Sequence, residues 1–80
     1  MFIVTIDYDS YSFESDTEKE TFSTKKEAKD FIYKAIKSLR EYEGEGEGDF
    51  DLEAYYSKAS NAYLFDTYEE ETYIYRIIES

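Results

Sequence analysis

One helix signature organises this chain. Thr24-Lys25-Lys26-Glu27 has the spacing of a capping box, in which the Thr24 hydroxyl accepts the Glu27 amide proton and the Glu27 carboxylate reaches back toward the cap. Beyond it Ala28, Phe31, Ile32, Ala35, Ile36 and Leu39 recur at spacings of three and four, which places them on a single apolar stripe. Lys37 and Arg40 fall in the last turns, where cations complement the helix dipole, and Gly44 supplies a stop. The spacing predicts a helix over 24–41 with one face to bury. Whatever else the chain forms has to cover that face.

The flanking sequence has the period of strands. Phe2, Val4, Ile6 and Tyr8 alternate with Ile3, Thr5 and Asp7. After Asp9-Ser10 the large residues shift to odd positions, Tyr11 and Phe13, a phase change that needs a turn or a bulge. Glu14 to Thr17 reads as a further turn, and Glu20-Thr21-Phe22 as a short returning strand, giving a strand pair within 2–22. Ala62 to Phe65 and Thr72 to Ile78 form a second hairpin over 61–78, joined through Tyr68-Glu69-Glu70-Glu71. Between helix and hairpin lie an acidic, Gly-rich loop at 41–53 and a short helix at 51–57, capped by Asp51 or Asp49. The expected architecture is one α+β domain over 1–80: a small antiparallel sheet of about four strands in ββαββ order, with the amphipathic helix on one face.

The chain has 80 residues, no cysteine and no histidine, so neither a disulfide nor a His/Cys zinc site can hold so small a core. Aromatic burial has to do it, and Tyr and Phe supply 20% of the residues. The same absences remove the usual general base and the best nucleophile. The three glycines sit among glutamates that repel phosphate, and no Lys-Ser/Thr loop exists. An EF-hand frame begun at Glu45 puts Phe50 where glycine is required and Tyr56 where glutamate is required. These features argue against an enzyme and against any cofactor or metal centre. Met1 to Asp7 lacks a basic n-region, and no apolar run reaches membrane-spanning length, so the expectation is a cytoplasmic protein without a membrane segment.

Charge is segregated along the chain. Thr24 to Arg40 carries six basic residues against two acidic ones; the remainder carries three against eighteen, for a net charge of −11. From 41 to 53 every odd position is acidic: Glu41, Glu43, Glu45, Glu47, Asp49, Asp51 and Glu53. In an extended chain, alternate side chains project to one side about 6.6 Å apart, a row resembling the regular charges of a nucleic-acid backbone. The same composition also fits a solvated linker. Ten tyrosines exceed what one helix can cover. Tyr63, Tyr68, Tyr73 and Tyr75 in the final hairpin are candidates for an exposed partner-binding surface, or for cross-strand pairs within the sheet.

The acidic row 41–53, with the acid-aromatic runs Tyr8–Glu20 and Tyr63–Tyr75, resembles the small phage-encoded inhibitors of host defence, including anti-CRISPR and anti-restriction DNA mimics. The basic helix departs from a mimic that is acidic all round. The resemblance implies a non-enzymatic inhibitor acting in a host cytoplasm. Its partner would be a basic, nucleic-acid-binding protein, and the inhibitor itself would not bind nucleic acid or membrane. The residues leave a second reading open: a small structural or regulatory interaction module, self-associating as a homodimer, whose acidity serves solubility.

Overall fold

A computed structural model describes residues 1–9, 18–46, 48–67 and 71–80. The chain runs β1 (Phe2–Asp9), β2 (Glu18–Phe22), α1 (Lys25–Tyr42), a 3₁₀ turn (Leu52–Tyr55), β3 (Tyr56–Ser57), β4 (Ala62–Asp66) and β5 (Thr72–Glu79). The five strands form one antiparallel sheet in the order β2-β1-β5-β4-β3, so the α+β class with one main helix holds. The expected phase change at Tyr11 and Phe13 and the turn at 14–17 lie outside the described residues.

The helix begins where its cap predicts. The Thr24 hydroxyl accepts the Glu27 amide at 3.1 Å, while the Glu27 carboxylate takes a 3.0 Å hydrogen bond from the same hydroxyl rather than from the Thr24 amide. Ala28, Ile32 and Ile36 are fully buried, with Phe31, Ala35 and Leu39 half-buried on the flanks of the stripe. Opposite them, β1 presents Phe2, Val4 and Ile6, and β5 presents Tyr73, Tyr75 and Ile77, as the period-two pattern requires. The register pairs Ile6 with Tyr75 and Val4 with Ile77. Both long strands therefore put their apolar sets under α1.

Two expectations are corrected. The sheet has five strands rather than four, and the short helix expected over 51–57 is a single 3₁₀ turn that gives way to β3. Asp51 caps that turn, accepting the Glu53 amide at 3.1 Å. Tyr56 and Ser57 then pair with Tyr63 and Ala62 across a tight turn at Lys58–Asn61. Asn61 sits at φ 51°, a left-handed conformation that asparagine tolerates, and its side chain accepts the Tyr56 hydroxyl at 2.6 Å.

Of the two readings open for Tyr63 and Tyr75, an exposed partner surface and a cross-strand pair, the structure has the second: they pair in register and are core residues at 5% and 4% exposure. The cause is strand order: β5 lies between β1 and β4, and their rings form a cross-strand row running Ile6, Tyr75, Tyr63, Tyr56. The Tyr56 and Tyr63 rings lie 5.1 Å apart, and in a parallel row Tyr8 meets Tyr73 edge-on at 4.9 Å. Much of the tyrosine content is thus spent on holding the sheet.

Candidate functional site

The acidic row does not run as one extended strip. Glu41 lies in the last turn of α1, and Glu43 caps it. Gly44, Gly46 and Gly48 take φ of 73°, 127° and 114°, values that side-chain-bearing residues rarely adopt, so the chain reverses rather than extends. The Gly44 and Glu45 amides donate back to the carbonyls of Glu41 and Arg40. Past the reversal the acids turn inward. Asp49 accepts the Tyr33 hydroxyl at 2.8 Å and lies 4.0 Å from the Lys37 ammonium. Glu53 pairs with Lys29 at 3.1 Å and accepts the Tyr63 hydroxyl at 3.2 Å. Glu47 and Tyr68 lie outside the described residues. The row is therefore divided: Glu41, Glu43 and Glu45 stay on the surface, while Asp49, Asp51 and Glu53 bind the protein's own groups.

Aromatic rings fasten this returning segment to the helix. Phe50 stacks on Tyr33 with centroids 4.5 Å apart and 9° between planes, and meets Tyr55 edge-on at 5.5 Å. The Arg40 guanidinium lies 5.0 Å above the Phe50 ring and donates to the Tyr55 hydroxyl. Lys29, Lys37 and Arg40, half of the helix's basic residues, are thereby engaged from within, and the basic face expected from sequence is partly neutralised. The hydrogen bond to Lys29 holds the Glu53 carboxyl below its ordinary value, and the same bond raises Lys29. Tyr33 is raised by donating to Asp49.

The face of the helix that carries Ala35, Ser38, Leu39 and Tyr42 is built differently. α1 runs alongside β1, so its last turn lies against the start of β5 and the end of β4. There a cleft of about 530 Å³ opens between Tyr42 and Glu43 of the helix and Thr67, Glu71, Tyr73 and Tyr75 of the sheet, floored by Ala35 and Leu39. Among the described residues no Lys or Arg lines it. Beside it, Asp9 and Asp66 flank Thr72 in register, and the Thr72 hydroxyl donates to Asp66 at 2.7 Å. Burial raises Tyr73, with the Glu71 and Glu43 charges adding to the effect, and burial pushes Tyr75 up to about 12. Both phenols therefore stay protonated at neutral pH.

Of the residues expected at a partner surface, the structure brings Glu43, Tyr73 and Tyr75 to this cleft and leaves Glu41 and Glu45 near its rim in sequence. It sends Asp49, Asp51, Glu53 and Tyr63 elsewhere. Glu71 is one of the turn acids, and Tyr42 one of the surplus tyrosines, that could extend an exposed surface; what sequence does not show is that they meet, since the pairing of a helix C-terminus with a β5 N-terminus needs the topology first. A second cavity, of about 260 Å³, lies at the helix N-terminus among Lys25, Lys29, Glu53, Tyr63 and Glu79. Its charges are mixed, and its central Lys29 and Glu53 are already paired. Among the described residues no group of three carboxylates is placed to hold a metal ion, and no helix is long and apolar enough to cross a membrane. Comparison with known proteins returns no matching family model, no similar curated protein and no similar solved structure.

Proposed function

We propose that this protein is a non-enzymatic inhibitor that binds the positively charged nucleic-acid site of a partner protein. One observation carries the reading. Asp9, Glu41, Glu43, Glu45 and Glu71 make no ion pair with any described residue, whereas three cations of the helix are occupied by the chain's own 49–55 segment. Folding thus consumes positive charge along the helix and leaves negative charge at the end where α1 meets β4 and β5. A surface of that sign repels nucleic acid and attracts the groove that nucleic acid occupies. Tyr42, 87% exposed beside Glu43, adds a large ring at low entropic cost, as interface tyrosines do.

The test is competition. Proteins captured from a bacterial lysate on the immobilised chain should be nucleic-acid binders, should be released by excess duplex DNA or RNA, and should release steeply with salt. The chain alone should bind neither nucleic acid. Capture that persists in saturating DNA and RNA would refute the reading. A second reading has its own support: the sheet face opposite α1 carries Ile3 beside Ile78 and Leu64 beside Ile74, with Ile78 44% exposed. These two aliphatic pairs, separated on β5 by Arg76, suit self-association, and concentration-dependent sedimentation with no salt effect would favour it.

A further inference from the structure

We infer that the cleft between the last turn of α1 and the ends of β4 and β5 is a receptor for a guanidinium, an arginine side chain presented by the partner. The walls are aromatic and the rim is anionic. Tyr42 and Tyr73 bring aromatic rings, Glu43 and Glu71 bring carboxylates, and Leu39 also lines the cleft. Neither carboxylate is engaged by a described side chain. A third polar group has the same condition and less access to water: Tyr75 is only 4% exposed, lines the cleft, and its hydroxyl makes no hydrogen bond with the described residues. Its hydroxyl is not sealed from solvent, so an occupant with hydrogen-bonding edges can take the place of water there.

The occupant's chemistry follows by elimination. An anion meets two carboxylates and no Lys or Arg. A hard metal ion wants six or more oxygen ligands, and among the described residues no group of three carboxylates is placed to hold one. A neutral polar group leaves both carboxylates uncompensated. A guanidinium is flat enough to lie against tyrosine rings, carries five donors for carboxylate and phenol oxygens, and loses less hydration than an ammonium. Arginine is therefore favoured over lysine. The volume of about 530 Å³ admits the side chain with its flanking backbone.

This rests on the proposed function only in assigning the arginine to a basic partner, and the test separates the two. Acetyl-Gly-Arg-Gly-amide and its neutral citrulline isostere are titrated into the full chain at low salt, followed by NMR. The arginine peptide should give saturable shifts at Tyr42, Tyr73 and Leu39, and citrulline should bind at least roughly tenfold more weakly, since it forfeits both charge pairs and the ring contact. Glu43→Gln with Glu71→Gln should weaken the arginine peptide by a similar factor. Tyr42→Leu, a change at an 87% exposed position that leaves folding untouched, should weaken it severalfold. Equal binding of arginine and citrulline, or arginine binding indifferent to the double Gln variant, would overturn the inference. If the cleft fails this test but captured partners are still displaced by DNA, the function stands and its contact lies elsewhere on the acidic end. If the cleft passes and no captured protein is displaced, the inhibitor reading falls and the arginine site remains.

Discussion

Phe50→Ala measures whether the 49–55 segment is folded onto the helix. Phe50 is half-buried and makes three directed contacts: the stack on Tyr33, the edge contact with Tyr55 and the face offered to Arg40. A fully buried Phe→Ala change costs about 3–5 kcal/mol. Half-burial reduces the transfer part to roughly 1–1.5 kcal/mol, while the ring pairs and the cation–π contact return on the order of 1 kcal/mol. The expected loss is therefore about 2–3 kcal/mol, a large share of the roughly 4–12 kcal/mol available to a domain of this length. Melting should fall by about 10–20 °C. Urea denaturation followed by far-ultraviolet circular dichroism gives the free energy, and a double-mutant cycle with Tyr33→Leu should isolate a coupling of roughly 0.5–1.5 kcal/mol for the stack. A loss below about 0.5 kcal/mol, with no coupling, would show that the segment is solvated and that Lys37 and Arg40 are free. The premise of the proposed function would then fail with it.

Ile36→Ala, at a position with no solvent exposure, should cost about 2–5 kcal/mol in the same denaturation experiment, and half-buried Phe31→Ala less than a fully buried Phe would. Moderate sodium chloride should raise the melting temperature by a few degrees, because screening relieves repulsion in a chain of net charge −11 whose ion pairs among the described residues are all solvent-accessible; a fall would mean that pairing outweighs repulsion. At alkaline pH, burial favours the neutral Tyr75 phenol, so its contribution is present below the ordinary value of 10.0 and lost as pH climbs toward about 12, and Tyr75→Phe should flatten that limb of a pH–stability curve. Glu53 is shifted the other way: its pairing contribution is present above the ordinary value of 4.5 and lost as pH falls through the lowered folded value, so Glu53→Gln should soften the acid limb by less than about 1 kcal/mol, the side chain being 55% exposed.

The helix was legible because every determinant of it is local. Thr24 and Glu27 fix the start, the apolar spacing fixes the face, and the structure moves the expected limits by one residue at each end. β1 and β5 were legible for the same reason, since alternation needs only the strand itself. β3 was not. Two residues show no period, and Tyr56-Ser57 become a strand only because Asn61 turns the chain and β4 is there to pair with. Strand order was equally hidden, because nothing in Phe2–Asp9 says that its other neighbour is Thr72–Glu79. The burial of Tyr63 and Tyr75 follows from that order alone.

The acidic row shows how a pattern can be legible while its geometry is not. Seven acids at alternate positions suggest an even line of charge only if the chain between them is extended, and the intervening glycines permit what an extended chain excludes. With Gly44, Gly46 and Gly48 at positive φ, the backbone doubles back within a few residues and delivers Asp49 and Glu53 to Lys37 and Lys29. The two halves of the row then act in opposite senses. Asp49 and Glu53 cancel cations of the helix, so that the helix no longer offers a nucleic-acid backbone its full basic stripe. Glu43, held at the helix end beside Glu71 and two tyrosine rings, stays uncancelled. Replacing the glycines with residues that resist positive φ would therefore do more than stiffen a loop. It would oppose the reversal, release Lys29, Lys37 and Arg40 from their partners, and reduce the charge contrast between that face of the helix and the acidic cleft, the property on which the proposed recognition of a basic groove rests.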